Sequence, residues 1–403
     1  MKEASKMNEE LIQPRMIVDL DAVNKNYEEL KRVASGKKIC PVVKSNAYGL
    51  GAVEVTRSLI EAGCDTFYVS TPLEGAELRK EFPDIQINIL NGPSNRSIHT
   101  FRVFHLTPVI NNLEQLEIWE KGKPFDSNIG CILNLETGFN RLGIKESEWA
   151  TITPERLKKN KVSLIMSHLS CAGEDLSDPM VMEQNKRQFV VWKKALDYFK
   201  GIPGSLALDA HMINTSNLPI SQIRSGAALC GVNVFPQKLN LSPVIQIEAP
   251  LLQVETIQPG EAVGYGATFH AQKETKIAIL GIGYGHGFPR NLSNKGKVFF
   301  SDGKETYEAP LVGRVSMGLI NCDVTNIPQE ALTSKKASLF DNRPIENNYT
   351  INQLCIDAER LDTEIMCCQN SMEIVYTSRR RRQRELEKIQ ELKKLKDGCY
   401  CCR

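Results

Sequence analysis

The chain has 403 residues, of which 41% are hydrophobic and 24% charged, and a formal net charge of +2. That length exceeds one ordinary core and predicts two domains, while the composition is that of a globular protein. No apolar run approaches the roughly 20 residues a membrane span needs, and the opening MKEASKMNEE lacks a signal peptide's apolar segment, so a cytoplasmic location is expected.

Twelve cysteines are present, but Cys40, Cys64, Cys131, Cys171, Cys230, Cys322 and Cys355 stand singly, without CxxC pairs or metal-ligand spacing. Buried reduced thiols and no metal are expected.

In chain order, residues 18–34 read as a short strand and then a helix capped by Asp21. Strand-like apolar runs recur at 39–43, 66–69, 85–90, 106–110, 129–135, 162–166, 205–208 and 223–231. Helical intervals such as 53–62, 113–119 and 185–199 separate them. Strands alternating with helices in this way predict an α/β fold, a parallel (β/α)8 barrel. From 244 to 324 the chain is rich in Val, Ile, Thr and Gly and breaks at Pro259-Gly260, residues 293–296 and Asp302-Gly303. This predicts an all-β second domain, followed by short helices at 350–359 and 362–368.

The expected organisation is an extension at 1–15, the barrel at 16–242, the β domain at 243–376 and a basic tail at 377–403. Residues 379–403 carry ten Lys or Arg against four Asp or Glu, so they hold +6 and the remainder −4. Leu386, Ile389, Leu392 and Leu395 recur every third residue there, beside Cys399, Cys401 and Cys402. A short basic amphipathic helix touching RNA or anionic lipid is one reading, and a solvated, disordered extension the other. No specific nucleic-acid partner is indicated.

Lys44 stands in PVVKSNAYGLG, after the apolar run 39–43 and before a glycine-bearing turn. A lysine where a barrel strand opens into its loop sits on the face where such folds keep their chemistry. There it could hold a carbonyl cofactor as a Schiff base.

Seven further segments share its register: ETGFNRLG, SHLSCA, HMINTSN, RSGAALCGV, VGYGATF, GIGYGHGFPR and GRVSMGL. Together, over about residues 16–369, they resemble the motifs of the alanine racemase family. The resemblance implies a barrel followed by a β domain, a homodimer with shared active sites, pyridoxal 5'-phosphate as cofactor and a small amino acid as substrate. It also implies two bases, Lys44 on the D face and Tyr265 of the partner subunit on the L face. Tyrosine's ordinary pKa of about 10 is high for a base at neutral pH, so cations must attend it. His168 and Arg141 match the family's neighbours of that phenol.

By the same resemblance Arg224 meets the cofactor's pyridine nitrogen, and Tyr48, Asn214, Thr215, Gly226 and Ala227 hold its phosphate. Arg141 and Met317 meet the substrate, and Tyr284 lines the entry. Four positions depart from the pattern. Asn134 replaces a lysine that is often carbamylated, and some broad-specificity relatives carry asparagine there with a bound chloride. Gly318 and His286 replace two aspartates, and Thr363 a phosphate-contacting tyrosine. The alternatives are therefore a broader amino-acid racemase or, from another class, a cofactor-carrying regulatory or binding protein.

Overall fold

The computed structural model describes residues 11–123, 129–171, 174–175, 177–207, 220–232, 239–342, 348–368, 371–379 and 383. The chain divides into two compact units, Asn24–Ser242 and Met1–Val23 with Pro243–Arg403. The basic-tail reading and Asn214 and Thr215 lie outside the described residues.

Strand β1 (Arg15–Asp19) opens the described chain and belongs to the second unit. The first unit holds eight strands: β2 (Lys38–Pro41), β3 (Thr66–Val69), β4 (Gln86–Ile89), β5 (Thr107–Ile110), β6 (Cys131–Asn134), β7 (Val162–His168), β8 (Gly204–Ala207) and β9 (Gln222–Ser225). All neighbours are parallel, in the order β2-β9-β8-β7-β6-β5-β4-β3. A Val42–Tyr68 bridge, with Val43 N–H donating to the Tyr68 carbonyl at 2.8 Å, closes the ring. This is the barrel that the alternating pattern predicts. Its interior is filled by Cys40, Tyr68, Val109, Ile132, Leu164 and Met166, each almost wholly buried. Burial pushes the thiols of Cys40 and Cys131 up to about 12, so both behave as small apolar fillers. The helices between strands start on conventional caps: Thr71, Asn112, Thr153 and Asp178 each accept a backbone N–H through the side chain.

The second unit is built on the long strand β10 (Ile245–Ile257). It pairs with β1, with β13 (Thr275–Leu280) and with β17 (Lys336–Ser338). The short strands β11 (Ala262–Val263) and β12 (Phe269–His270) form a separate hairpin. Strands β14 (Lys297–Ser301) and β15 (Thr306–Pro310) flank the turn at Asp302-Gly303, where Asp302 Oδ1 accepts from Lys304 and Glu305 N–H. β16 (Ile320–Asp323) pairs with β13, and β18 (Glu373–Thr377) runs parallel to β1. β1 is pinned by a buried ion pair, Arg15 to Glu248 at 2.7 Å, and Lys336 reaches the same carboxylate at 2.7 Å.

Three local expectations need correction. The helix Leu20–Val33 is capped by Asp19, whose Oδ1 accepts from Asp21 and Ala22 N–H. Asp21 already lies in the first turn, and its carboxylate accepts from Ser378 Oγ and Arg379 N–H instead. The apolar run at 223–231 is strand only to Ser225. The 3-10 turn Ala227–Cys230 follows, ended by Gly231 at φ 78°. Residues 16–19, expected in the barrel, pair with β10 and β18, because an apolar strand's partners are set by the edge available to it and not by its own pattern.

Candidate active site

Lys44 lies three residues beyond β2 and begins the turn Lys44–Tyr48. Ser45, Asn46, Ala47 and Tyr48 stand consecutively at φ 52°, 56°, 54° and 56°. The left-handed conformation costs an L-residue roughly 1–2 kcal/mol, so contacts from elsewhere must hold this stretch. Glu74 Oε1 accepts from Ser45 N–H at 2.7 Å, and Asn46 Oδ1 accepts from Ala52 N–H at 2.8 Å. The turn delivers both Lys44 and Tyr48 to one cavity of about 370 Å³.

That cavity occupies the mouth of the barrel, among residues at or just past the C-terminal ends of its strands. Among the described residues Lys44, Arg141 and Arg224 line it, with Glu136 as the single carboxylate and His168, Tyr48 and Gly226 beside them. Three cations among these lining residues against one anion suit the space to an anionic guest.

Arg224, 5% exposed on β9, donates to the Ser205 carbonyl at 3.1 Å, Ser205 Oγ at 2.6 Å and the Ser167 carbonyl at 2.5 Å. These acceptors are neutral and orient the guanidinium. His168, at the end of β7, has its pKa pushed down to about 3, first by burial and then by Arg224, Arg141 and Lys44. The ring is also open to the cavity, where water weakens the burial effect. The cations act across that space in the same direction, and the imidazole is neutral near pH 7.

A Cβ built at Gly226 would fall 2.1 Å from Tyr48 Oη. Only glycine lets the phenol come so close to the chain at this point. Arg141 stacks its guanidinium 4.1 Å from the Phe139 ring centre, and Phe139 meets the His168 ring at 5.5 Å. Glu136 accepts from Gly138 N–H at 2.5 Å and Arg141 N–H at 3.3 Å, folding that loop back on itself. Gln188, fully buried on the helix Pro179–Tyr198, joins two loops. It donates to Thr137 Oγ1 and the His168 carbonyl, and accepts from Ser170 N–H and Oγ–H.

Asn134 donates to Asn111 Oδ1 at 2.9 Å and to the Leu142 carbonyl at 3.1 Å. Asn111 in turn donates to the Leu90 and Val109 carbonyls. Carbonyls only accept, so both amide orientations are fixed by the network. The two N–H bonds of Asn134 are thus committed to the loop, which leaves its oxygen as the atom with capacity for a guest.

Not every expected residue meets this cavity. Ala227 opens the turn after Gly226. Tyr265, Tyr284 and Met317 belong to the second unit, 71%, 43% and 64% exposed. Tyr265 sits between Gly264 and Gly266, both at φ 73°, in the β11–β12 connection. A Cβ at Gly266 would come within 3.1 Å of Arg314 Nη1, so that guanidinium lies against the turn. Tyr284 and Met317 are neighbours through Gly285 N–H, which donates to the Met317 carbonyl. Thr363 lies in the first turn of the helix Asp362–Cys367. His286 Nδ1 accepts from Gly283 N–H, and a Cβ at Gly318 would meet nothing within 4 Å. Glu74, Asn111, Glu136, Gln188 and Arg314 were not singled out by sequence; of these, only Glu136 and Arg314 fall inside a recognised motif.

Two family models match the chain: "Alanine racemase, N-terminal domain" over residues 18–234 and "Alanine racemase, C-terminal domain" over 244–376. An alanine racemase of Rickettsia africae is 35% identical over 330 residues, 81% of this chain and 89% of that protein. A biosynthetic alanine racemase of Mesorhizobium japonicum is 36% identical over 318 residues, covering 77% and 76%. Among solved structures, alanine racemase from Bartonella henselae with covalently bound pyridoxal phosphate superposes with a TM-score of 0.80 at 27% identity, covering 91% of this chain and 100% of that one. The biosynthetic enzyme of Pseudomonas aeruginosa gives 0.80 at 26%, covering 91% and 100%.

Proposed function

The chain belongs to the alanine racemase family, a family of isomerases, and from that premise we propose that it interconverts L- and D-alanine with pyridoxal 5'-phosphate. The observation that carries this reading is the meeting of Lys44, Tyr48, His168 and Arg224 in one cationic cavity at the barrel mouth. The donor set fits the cofactor: the positive space suits a phosphate, and the Tyr48–Gly226 contact leaves a phenol against the chain where that phosphate would be cradled. Lys44, Tyr48, Arg224, Gly226 and Ala227 would hold it, with Asn214 and Thr215. Bound pyridoxal phosphate supplies the electron sink without which Cα–H is too weak an acid.

The protein's own groups then position and move the proton. Lys44 takes or returns it on the D face, and Tyr265 of the partner subunit on the L face, so the working form is a homodimer. Arg141, steadied by Phe139 and Glu136, binds the substrate carboxylate. His168 is neutral and serves as a hydrogen-bonding partner, not as a fourth cation. Arg224 stays protonated, so it can only donate to the pyridine nitrogen, which keeps the sink weak and limits side reactions. Met317 and Tyr284 bound the substrate entry.

The test uses purified protein with pyridoxal phosphate. A visible absorption band should be trapped by borohydride on Lys44, and deuterium from heavy water should enter Cα of L- and D-alanine. Tyr265→Phe should suppress exchange from L-alanine far more than from D-alanine; equal mild losses would remove its role. A broader amino-acid racemase is favoured by one observation, the open space at Gly318 where the family carries an acid. Assays on serine, lysine and arginine decide it. If none of these four amino acids is racemised, the enzymatic proposal fails.

A further inference from the structure

We propose that Glu74 is the positioning residue for Lys44, acting through the peptide bond that joins Lys44 to Ser45. The inference deepens the reading that Lys44 carries the cofactor, and rests on it for its functional consequence. Glu74 lies outside the cavity, in the first turn of the helix Pro72–Glu81, and its two carboxylate oxygens do different work. Oε2 accepts from Ser70 N–H at 2.9 Å, Thr71 N–H at 2.8 Å and Thr71 Oγ–H at 3.3 Å, completing a capping box in which Thr71 Oγ1 accepts from Glu74 N–H. Oε1 leaves the helix altogether and accepts from Ser45 N–H at 2.7 Å, across 29 residues of sequence.

A helix cap needs only the first of these. The second restrains the Lys44–Ser45 peptide plane, and with it the direction in which Lys44 leaves the chain. That restraint falls where the backbone resists most, since Ser45 is the first of four consecutive left-handed non-glycine residues. Other bonds of the turn lie downstream or return to Val43, among them Ala47 N–H to the Val43 carbonyl, Gly49 N–H to Ser45, Leu50 N–H to Ala47, Gly51 N–H to Asn46, and Ala52 N–H to Asn46 Oδ1. Glu74 therefore grips the lysine end of the turn, while Asn46 ties its far end to the next helix.

The chemistry demands a carboxylate. A glutamine has one acceptor oxygen and an NH₂ group, so it can serve the cap or Ser45 but must present donors to the other set of N–H groups. Thr71→Ala is the matching control: it removes the threonine half of the cap and leaves the Glu74–Ser45 bond in place.

The experiment measures wild type, Glu74→Gln and Thr71→Ala in three ways. With cofactor stripped, hydrogen exchange is followed by mass spectrometry in the peptide spanning residues 45–51. The rate at which added pyridoxal phosphate becomes borohydride-trapped on Lys44 comes next, and then kcat and KM for alanine. Glu74→Gln should speed exchange in the turn and slow capture and kcat, each by about tenfold, the factor that one charged hydrogen bond supports. Thr71→Ala should stay within about twofold on all three. If Glu74→Gln does not fold, Glu74→Asp, whose carboxylate is one methylene shorter and so serves the two sets of N–H groups less well, should show the same pattern. The proposal is overturned if turn exchange and capture remain at wild-type rates in the Glu74 variants, or if Thr71→Ala loses as much, because Glu74 is then a helix cap only. The exchange result does not depend on the function of Lys44, whereas Lys44→Ala that still binds cofactor and racemises would defeat the functional reading alone.

Discussion

The two units each bury an arginine, and they treat it in opposite ways. Arg15 in the β unit meets Glu248, and Lys336 joins the same carboxylate, so two cations share one counter-ion within the sheet. Arg224 in the barrel donates to two carbonyls and a hydroxyl, which orient it at the wall of the cavity. A buried cation with a counter-ion is a structural joint. One oriented by these neutral acceptors at a cavity wall is placed to meet an anionic guest, and it lines that cavity with Lys44 and Arg141.

Four measurements sharpen that contrast, from the largest effect down. Arg224→Met should cut racemisation by about 10²–10³-fold, the scale of removing one preorganised electrostatic donor, with a smaller stability change than the next variant; full activity would refute its role. Glu248→Ala leaves Arg15 and Lys336 without their carboxylate and should cost about 3–5 kcal/mol in denaturant unfolding, with kcat of the folded protein unchanged. A loss below about 1 kcal/mol would mean the joint carries no weight.

The third measurement is pH. His168 has a folded pKa of about 3 against an ordinary 6.5, so between those values the unfolded chain binds the extra proton. Stability contributed by the neutral imidazole is therefore full above pH 6.5 and is lost as pH falls towards 3. Unfolding of the cofactor-free protein should show that slope, and His168→Asn should flatten it. An unchanged slope would show that the titrating group lies elsewhere. Smallest is Gln188→Leu, which frees the Thr137 and Ser170 loops and should lower kcat/KM for alanine roughly tenfold through misplacement of Arg141 and His168, while leaving cofactor capture by Lys44 near wild type.

Lys44, Tyr48, Arg141, His168, Arg224 and Gly226 were all legible because each lies in a short contiguous motif, and the alternation of apolar runs was enough to place Lys44 and His168 at strand ends. Glu74 and Gln188 were not. Their partners lie 29 residues away in one case and 18 to 51 in the other, and a glutamate or glutamine on a helix reads locally as surface. The left-handed turn was equally hidden, since SNAY contains no glycine to announce positive φ. β1 fell inside the segment expected to form the barrel domain, yet it joins the second unit's sheet, because its partners lie more than 200 residues on.

By itself, then, the chain's order of apolar runs and motifs determined the barrel, the β unit after it and the lysine proposed to hold the cofactor, because periodicity and contiguous residue types are local properties. Only the tertiary structure decided which buried charges meet a carboxylate within the sheet and which are oriented at the cavity wall. It also revealed that the lysine's backbone is gripped by a carboxylate from the helix Pro72–Glu81. Electrostatic balance and backbone restraint depend on groups that sequence separates and folding brings within a hydrogen bond.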